Sequence, residues 1–233
     1  MQWDMRRVFM ICLAVTASSG PAAAANVLFG PDLAVNGWRL MTFPGLPPAR
    51  FSALGRSILR VEANHAVAVL WRPIATDSAS ASSAHWRWRI DTSVQPTDLT
   101  KKGSDDRPLA VYFVFARGSL SSRPINLIEI LRNDRAQILM YVWGGTAPKG
   151  TLLQSPHLGH NARIIVLRAG DAPLAEWISE NVNLKADHQK AFGLPPGRLT
   201  AVAISSDSDD TSGRNVGFVA DLFLEIDAPP GIK

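Results

Sequence analysis

Ala110-Val111-Tyr112-Phe113-Val114-Phe115 is the stretch on which the fold turns. It is rich in β-branched and aromatic residues and apolar at every position. A strand of that kind is buried on both faces. The segment therefore predicts a central strand with a layer above it and a layer below. Upstream, His85-Trp86-Arg87-Trp88-Arg89-Ile90 alternates instead. Trp86, Trp88 and Ile90 share one face, and His85, Arg87 and Arg89 share the other. That pattern predicts a strand with one face in the core and one in water.

The same punctuation runs along the chain. The 233 residues include 17 Gly and 16 Pro, and these separate short runs of Val, Ile, Leu, Phe and Trp. Such spacing predicts an all-β antiparallel sandwich rather than a βαβ protein. Strands are expected near 36–43, 57–63, 66–73, 84–91, 109–117, 126–132, 137–143, 162–168, 200–206 and 215–226. Leu184 to Phe192 is the one helical stretch, stopped by Gly193 with Pro195 and Pro196 beyond. Residues 75–83 and 92–108 are polar loops. Residues 26–233 show no repeat and read as one domain.

Residues 1–25 read as a cleaved signal peptide. Arg6 and Arg7 precede the apolar run Val8 to Ala17, which is too short to span a bilayer as a helix. Gly20 and Pro21 break the run, and Ala22 to Ala25 offers a cleavage site before Asn26. Cys12 is the single cysteine. It has no lipobox before it and leaves with the signal segment. The exported chain then has no disulfide, no thiolate zinc site and no cysteine nucleophile. A periplasmic or secreted location follows. The net charge of +4 comes without a dense Lys/Arg run, so nucleic acid is not an expected partner. No later segment has the length of a membrane helix.

Several clusters are candidates for chemistry. Asp207, Asp209 and Asp210, with Ser208, Thr211, Ser212 and Gly213, form an acidic loop. It reads as turn chemistry or as a set of hard oxygens for calcium, and Asp209 is a low-ranked catalytic carboxylate. Lys101-Lys102-Gly103-Ser104-Asp105-Asp106 is a charged loop that can bind a ligand. It can equally pair with the acidic loop, with Lys102 against Asp209. Arg87 and Arg89 can grip a carboxylate or phosphate, or pair with acids on neighbouring strands. Trp86 and Trp88 read as core or as a sugar platform. Trp143, before Gly144-Gly145, is a better candidate for exposure and ligand contact than either of these. Glu129 and Glu180 are possible glycosidase carboxylates, and Glu180 is equally a solvated edge residue. His157 and His160 lack the helical spacing and the glutamate of a zinc protease. The chain also lacks a Gly-x-Ser-x-Gly elbow and a glycine-rich phosphate cradle.

Three segments in this order resemble a known family. They are Trp86-Arg87-Trp88 with Asp98 to Asp106, Trp177 to Gly193 with Glu180-Asn181-Val182, and Ala203-Ile204-Ser205-Ser206 with Asp207 to Thr211. The chain resembles, over about residues 27–227, an uncharacterised family of exported bacterial proteins, domain of unknown function 3047. The resemblance implies a jelly-roll-like β-sandwich, similar in outline to galactose-binding domains, and no assigned activity. It also implies an aromatic pair near Gly217-Phe218, where only Phe218 is aromatic here.

Three functions remain open at this stage. The first is a non-catalytic extracytoplasmic binding domain for carbohydrate or another cell-envelope component. The second is an envelope-glycan hydrolase working through paired carboxylates. The third is a protein-binding module without a small-molecule site.

Overall fold

The computed structural model describes residues 23–27, 29–74, 80–117, 127, 129, 133 and 135–226. In chain order its strands are β1 (Ala23–Asn26), β2 (Arg39–Met41), β3 (Arg50–Leu54), β4 (Ile58–Asn64), β5 (Val67–Pro73), β6 (Ala81–Thr92), β7 (Arg107–Ala116), β8 (Ala136–Trp143), β9 (Leu152–Ser155), β10 (Gly159–Arg168), β11 (Ile178–Asn183), β12 (Arg198–Asp207) and β13 (Arg214–Ile226). Helix α1 (Leu184–Phe192) joins β11 to β12.

Two sheets result. One runs β11-β6-β13-β4-β3 with β1 on the edge of β13, and the other runs β2-β5-β12-β7-β8-β10-β9. In the first, β13 inserts between β4 and β6. In the second, β12 inserts between β5 and β7. The order β4-β13-β6-β11 opposite β5-β12-β7-β8 is that of a jelly roll, so the all-β sandwich is as the sequence predicts. One pairing departs from the antiparallel expectation. The chain leaves β8 at Trp143, runs back along the edge as β9 and returns between them as β10, so β10 lies parallel to β8.

Period two sets the two faces of the larger sheet. Leu109, Val111, Phe113 and Phe115 of β7 point into the gap between the sheets. Ala110, Tyr112 and Val114 form part of a second apolar cluster on the opposite face. All ten residues of β7 are buried, which matches the reading of the central strand. The inter-sheet core is built on aromatic contacts. Trp86 meets Trp88 at 5.5 Å and Tyr141 at 5.7 Å between ring centroids, and Trp88 meets Trp143 at 5.5 Å.

Trp143, the better candidate for exposure, is therefore a core residue, 1% exposed. Its parity along β8, shared with Leu139 and Tyr141, turns it inward. The glycines after it serve the backbone. Gly144 has φ 133°, and a Cβ there would stand 2.9 Å from Pro108.

Helix α1 forms where the sequence places it. Asn183 Oδ1 accepts the Ala186 N–H at 2.9 Å, and Gly193 closes the helix at φ 76°. Its buried Leu184, His188 and Ala191 cover one end of the sandwich. The strand expected over 126–132 falls mostly outside the described residues, and its two described positions, Leu127 and Glu129, are helical. Residues 1–25, read above as a signal peptide, lie outside them too, apart from Ala23, Ala24 and Ala25 in β1. Among the described residues no helix is long and apolar enough to cross a membrane.

Candidate functional site

A cavity of about 220 Å³ opens on the outer face of the seven-stranded sheet. Its floor is Val69, Val114, Ile138, Met140, Ile164 and Ala203. These are the outward residues of five adjacent strands. At one end the lining becomes polar, with Asp105, Arg107, Tyr112, His157, Ser205, Asp207, Asp209 and Asp210.

Arg107 organises that end. By parity with Leu109 and Val111 it would point into the inter-sheet core. A register shift between Ser205 and Asp207, where β12 pairs β7, turns it to the outer face. Its Nη1 lies 3.1 Å from Asp105 Oδ2 and 3.3 Å from Asp207 Oδ2. Its Nη2 donates to Tyr112 Oη at 3.1 Å, and that hydroxyl is 2.7 Å from Ser205 Oγ. His157 Nε2 sits 2.9 Å from the other oxygen of Asp105.

Behind this array two residues lock the loops. Asp106 is fully buried, and its carboxylate accepts the backbone N–H of Asp210 at 3.2 Å and of Thr211 at 2.7 Å. Asn215 donates to the carbonyls of Asp207 (2.6 Å) and Arg107 (3.3 Å) and accepts from Val94 N at 2.8 Å. The charged loop and the acidic loop thus do meet, but not through the expected Lys102–Asp209 pair. Tight turns at Asp98–Lys101 and Lys101–Ser104 leave both lysines exposed. Lys101 pairs with Asp98 at 3.1 Å, and neither lysine lines the cavity.

The electrostatics of the polar end are unbalanced. Burial, with Asp209 and Asp106 nearby, pushes the Asp207 carboxyl up to about 9 against the pull of Arg107. Asp210 is also raised, through burial and its acidic neighbours. Burial acts on Asp105 in the same sense, yet the hydrogen bond from His157 and the charge of Arg107 hold it below its ordinary value. Arg107 remains firmly protonated. Burial opposes its charge, but Tyr112, Asp207 and Asp105 outweigh that.

The expected calcium set changes membership. Carboxylate oxygens of Asp106, Asp207 and Asp209 lie within 4.8 Å of one another, and Asp210 is not in the group. These three fall short of the roughly six to eight oxygens that calcium takes. Asp106 is already committed to Asp210 and Thr211, and Arg107 already faces Asp207. The trio fits an ion poorly.

The remaining candidates lie elsewhere. Glu180 is 8% exposed rather than a solvated edge residue. It points from β11 into the sandwich, where Oε1 accepts from Arg168 Nε at 2.6 Å and from the Trp88 indole at 3.0 Å. Glu129 is exposed and away from the cavity. Arg87 and Arg89 lie on the outer face of the six-stranded sheet, held by Asp221 at 2.8 Å and Asp91 at 3.1 Å. Their guanidinium groups cover Trp177 at 5.2 Å and Phe218 at 5.8 Å. Trp177 and Phe218 stand 6.1 Å apart. Phe218 thus has an aromatic neighbour, but it comes from the segment before β11 and not from the position beside it in sequence. The cavity itself escaped the sequence reading, and its one signal was the double-faced apolarity of 110–115.

Solved structures of similar outline share little sequence. A mutant of a family 29 carbohydrate-binding module matches at TM-score 0.38 and 10% identity, covering 91% of this chain and 100% of its own. The family 11 carbohydrate-binding module of Clostridium thermocellum, bound to a β-1,3-1,4-mixed-linked tetrasaccharide, matches at 0.40 and 8%, covering 90% and 100%. The xyloglucanase domain of NopAA, a type three effector of Sinorhizobium fredii, in complex with cellobiose, matches at 0.45 and 10%, covering 90% and 98%. No curated protein matches the sequence. Residues 36–223 match the family model described as "Protein of unknown function (DUF3047)", and the chain belongs to that family.

Proposed function

We propose that this protein is a non-catalytic binding domain that acts outside the cytoplasm. In this reading residues 1–25 are cleaved, residues 26–233 form one domain, and a small cell-envelope ligand sits in the cavity on the seven-stranded sheet. The observation that carries it is the apolar floor ending in a cluster of buried, hydrogen-bonded charges. Pockets that orient a ligand have this composition: much apolar surface and a few fixed polar groups. A hydrolase is the weaker reading. Glu180 is held by Arg168 and Trp88, and in the acidic cluster Asp105 and Asp207 are held by Arg107.

The test is native mass spectrometry on protein isolated from the extracytoplasmic fraction. The expected result is a chain beginning at Asn26 with a small molecule retained. Ala203→Phe, which fills the cavity floor, should release that molecule. Retention by the filled variant would overturn the assignment of the site.

A carbohydrate ligand has a second possible seat, favoured by the half-exposed Trp177 beside Phe218. Indole faces stack on sugar rings, and the cavity floor contains no tryptophan. A glycan array run on wild type, Ala203→Phe and Trp177→Ala separates the two seats. Signal lost only with Trp177→Ala moves sugar binding to the outer face of the six-stranded sheet.

A further inference from the structure

We infer that the ligand of the cavity is a small organic cation, with an ammonium head at the Asp105–Asp207–Asp209–Asp210 end and an alkyl or aryl group on the apolar floor. This rests on the cavity being the ligand site, as proposed above.

Size comes first. A cavity of roughly 150 Å³ lined by Leu, Ile and Phe stays dry and binds benzene. The cavity here is about 220 Å³, so it takes an apolar group of about that size with a compact head. The floor offers no hydrogen bond, so the head belongs at the polar end.

Charge comes next. Four carboxyl groups line that end, against the single guanidinium of Arg107 and the half-exposed imidazole of His157. The fully buried Asp106 adds a fifth acid behind them. Arg107 is spent on Asp105, Asp207 and Tyr112. Asp207 is 8% exposed and lines the cavity, yet its Oδ1 is buried with no hydrogen-bond partner. Burial and Asp209 keep a proton on Asp207, and an ammonium N–H that takes the place of this proton satisfies the oxygen. An ammonium group provides three donors and one positive charge. A carboxylate head would add a like charge among the acids. The proton that Asp207 holds in the empty site is what a cation would displace.

The test uses three six-carbon probes on the whole exported chain: hexylamine, hexanol and hexanoate. Affinity is read by calorimetry at neutral pH and moderate salt. Hexylamine should bind at least tenfold tighter than hexanol, and hexanoate should be weakest. Asp209→Asn, at a partly exposed position, should weaken hexylamine several-fold more than it weakens hexanol. Proton release to buffer on hexylamine binding should be detectable when the heat is compared across buffers.

Equal binding of hexanol and hexylamine would overturn the inference while leaving the cavity as the site. A hydroxyl would then serve Asp207 Oδ1 and the likewise unpartnered Arg107 Nε. Tighter hexanoate would overturn it too. Calcium alone displacing hexylamine would make the cation a metal ion and overturn the organic one. Binding of none of the three, in wild type and Ala203→Phe alike, would overturn both the inference and the cavity.

Discussion

Arg107 and Asp207 are directly paired residues of β7 and β12, and the guanidinium Nη1 lies 3.3 Å from the carboxyl Oδ2. The contact joins positions 100 residues apart. It does not fully compensate the acid, because burial and the neighbouring carboxylates keep Asp207 protonated up to about pH 9.

Stability follows from that shift. Below the ordinary value of 3.8, Asp207 is protonated in both folded and unfolded chains. Above it, the unfolded chain releases the proton and the folded one keeps it, so Asp207 lowers stability progressively until about pH 9. One such proton changes stability by at most about 1.4 kcal/mol per pH unit. Asp207→Asn should therefore gain on wild type as pH rises from about 5 to 9, in urea unfolding. A difference that does not vary with pH would contradict the assignment.

Asp106 fixes the 207–213 loop through two backbone N–H groups and the Thr211 hydroxyl. Asp106→Ala removes the buried acceptor that holds the loop and should cost about 1–3 kcal/mol. Asp106→Asn keeps an acceptor and should cost less. Chemical denaturation of the two variants measures the gap.

The two tryptophans assigned opposite roles by the structure give a clean comparison. Trp143 is packed against Trp88, so Trp143→Ala should lose about 3–5 kcal/mol. Trp177 is 36% exposed under Arg87, so Trp177→Ala should lose about 1 kcal/mol or less. Thermal melts of both variants would reverse this order if Trp143 were the surface residue.

Glu180 tests the structural role against the catalytic one. Glu180→Ala strands the half-buried Arg168 guanidinium and the buried Trp88 indole and should cost about 2–3 kcal/mol. Glu180→Gln retains an acceptor for Trp88 and should be milder. A Glu180→Ala protein that melts like wild type would return Glu180 to the list of candidate acids.

The sequence made local and periodic features legible. The apolar run at 110–115 announces a strand buried on both faces. Gly193 and the prolines beyond announce the end of helix α1, which spans Leu184–Phe192 as expected. Parity puts Trp86 and Trp88 on one face of their strand, and the structure makes that face core rather than a sugar platform. The site was less legible for a geometric reason. Arg107 reaches the cavity only because a register shift breaks the parity of β7. Asp105 and Asp106 were visible as charges, but their partners, His157 and Thr211, come from distant segments. Trp177 and Phe218 are likewise brought together only by the fold.

The insertion of β12 and β13 between earlier strands also sets the order of events in folding. Until those two strands arrive, β5 and β7 have no common neighbour, and neither do β4 and β6. Each sheet is then split in the middle, with β7 exposing one edge of a strand that is fully buried in the finished fold. Pairings across such sequence distances form slowly, because loop closure must precede the contacts that reward it. The polypeptide therefore gains its native order late and nearly all at once. A chain cut before Arg198 should have no stable sandwich, however many of its strands it retains.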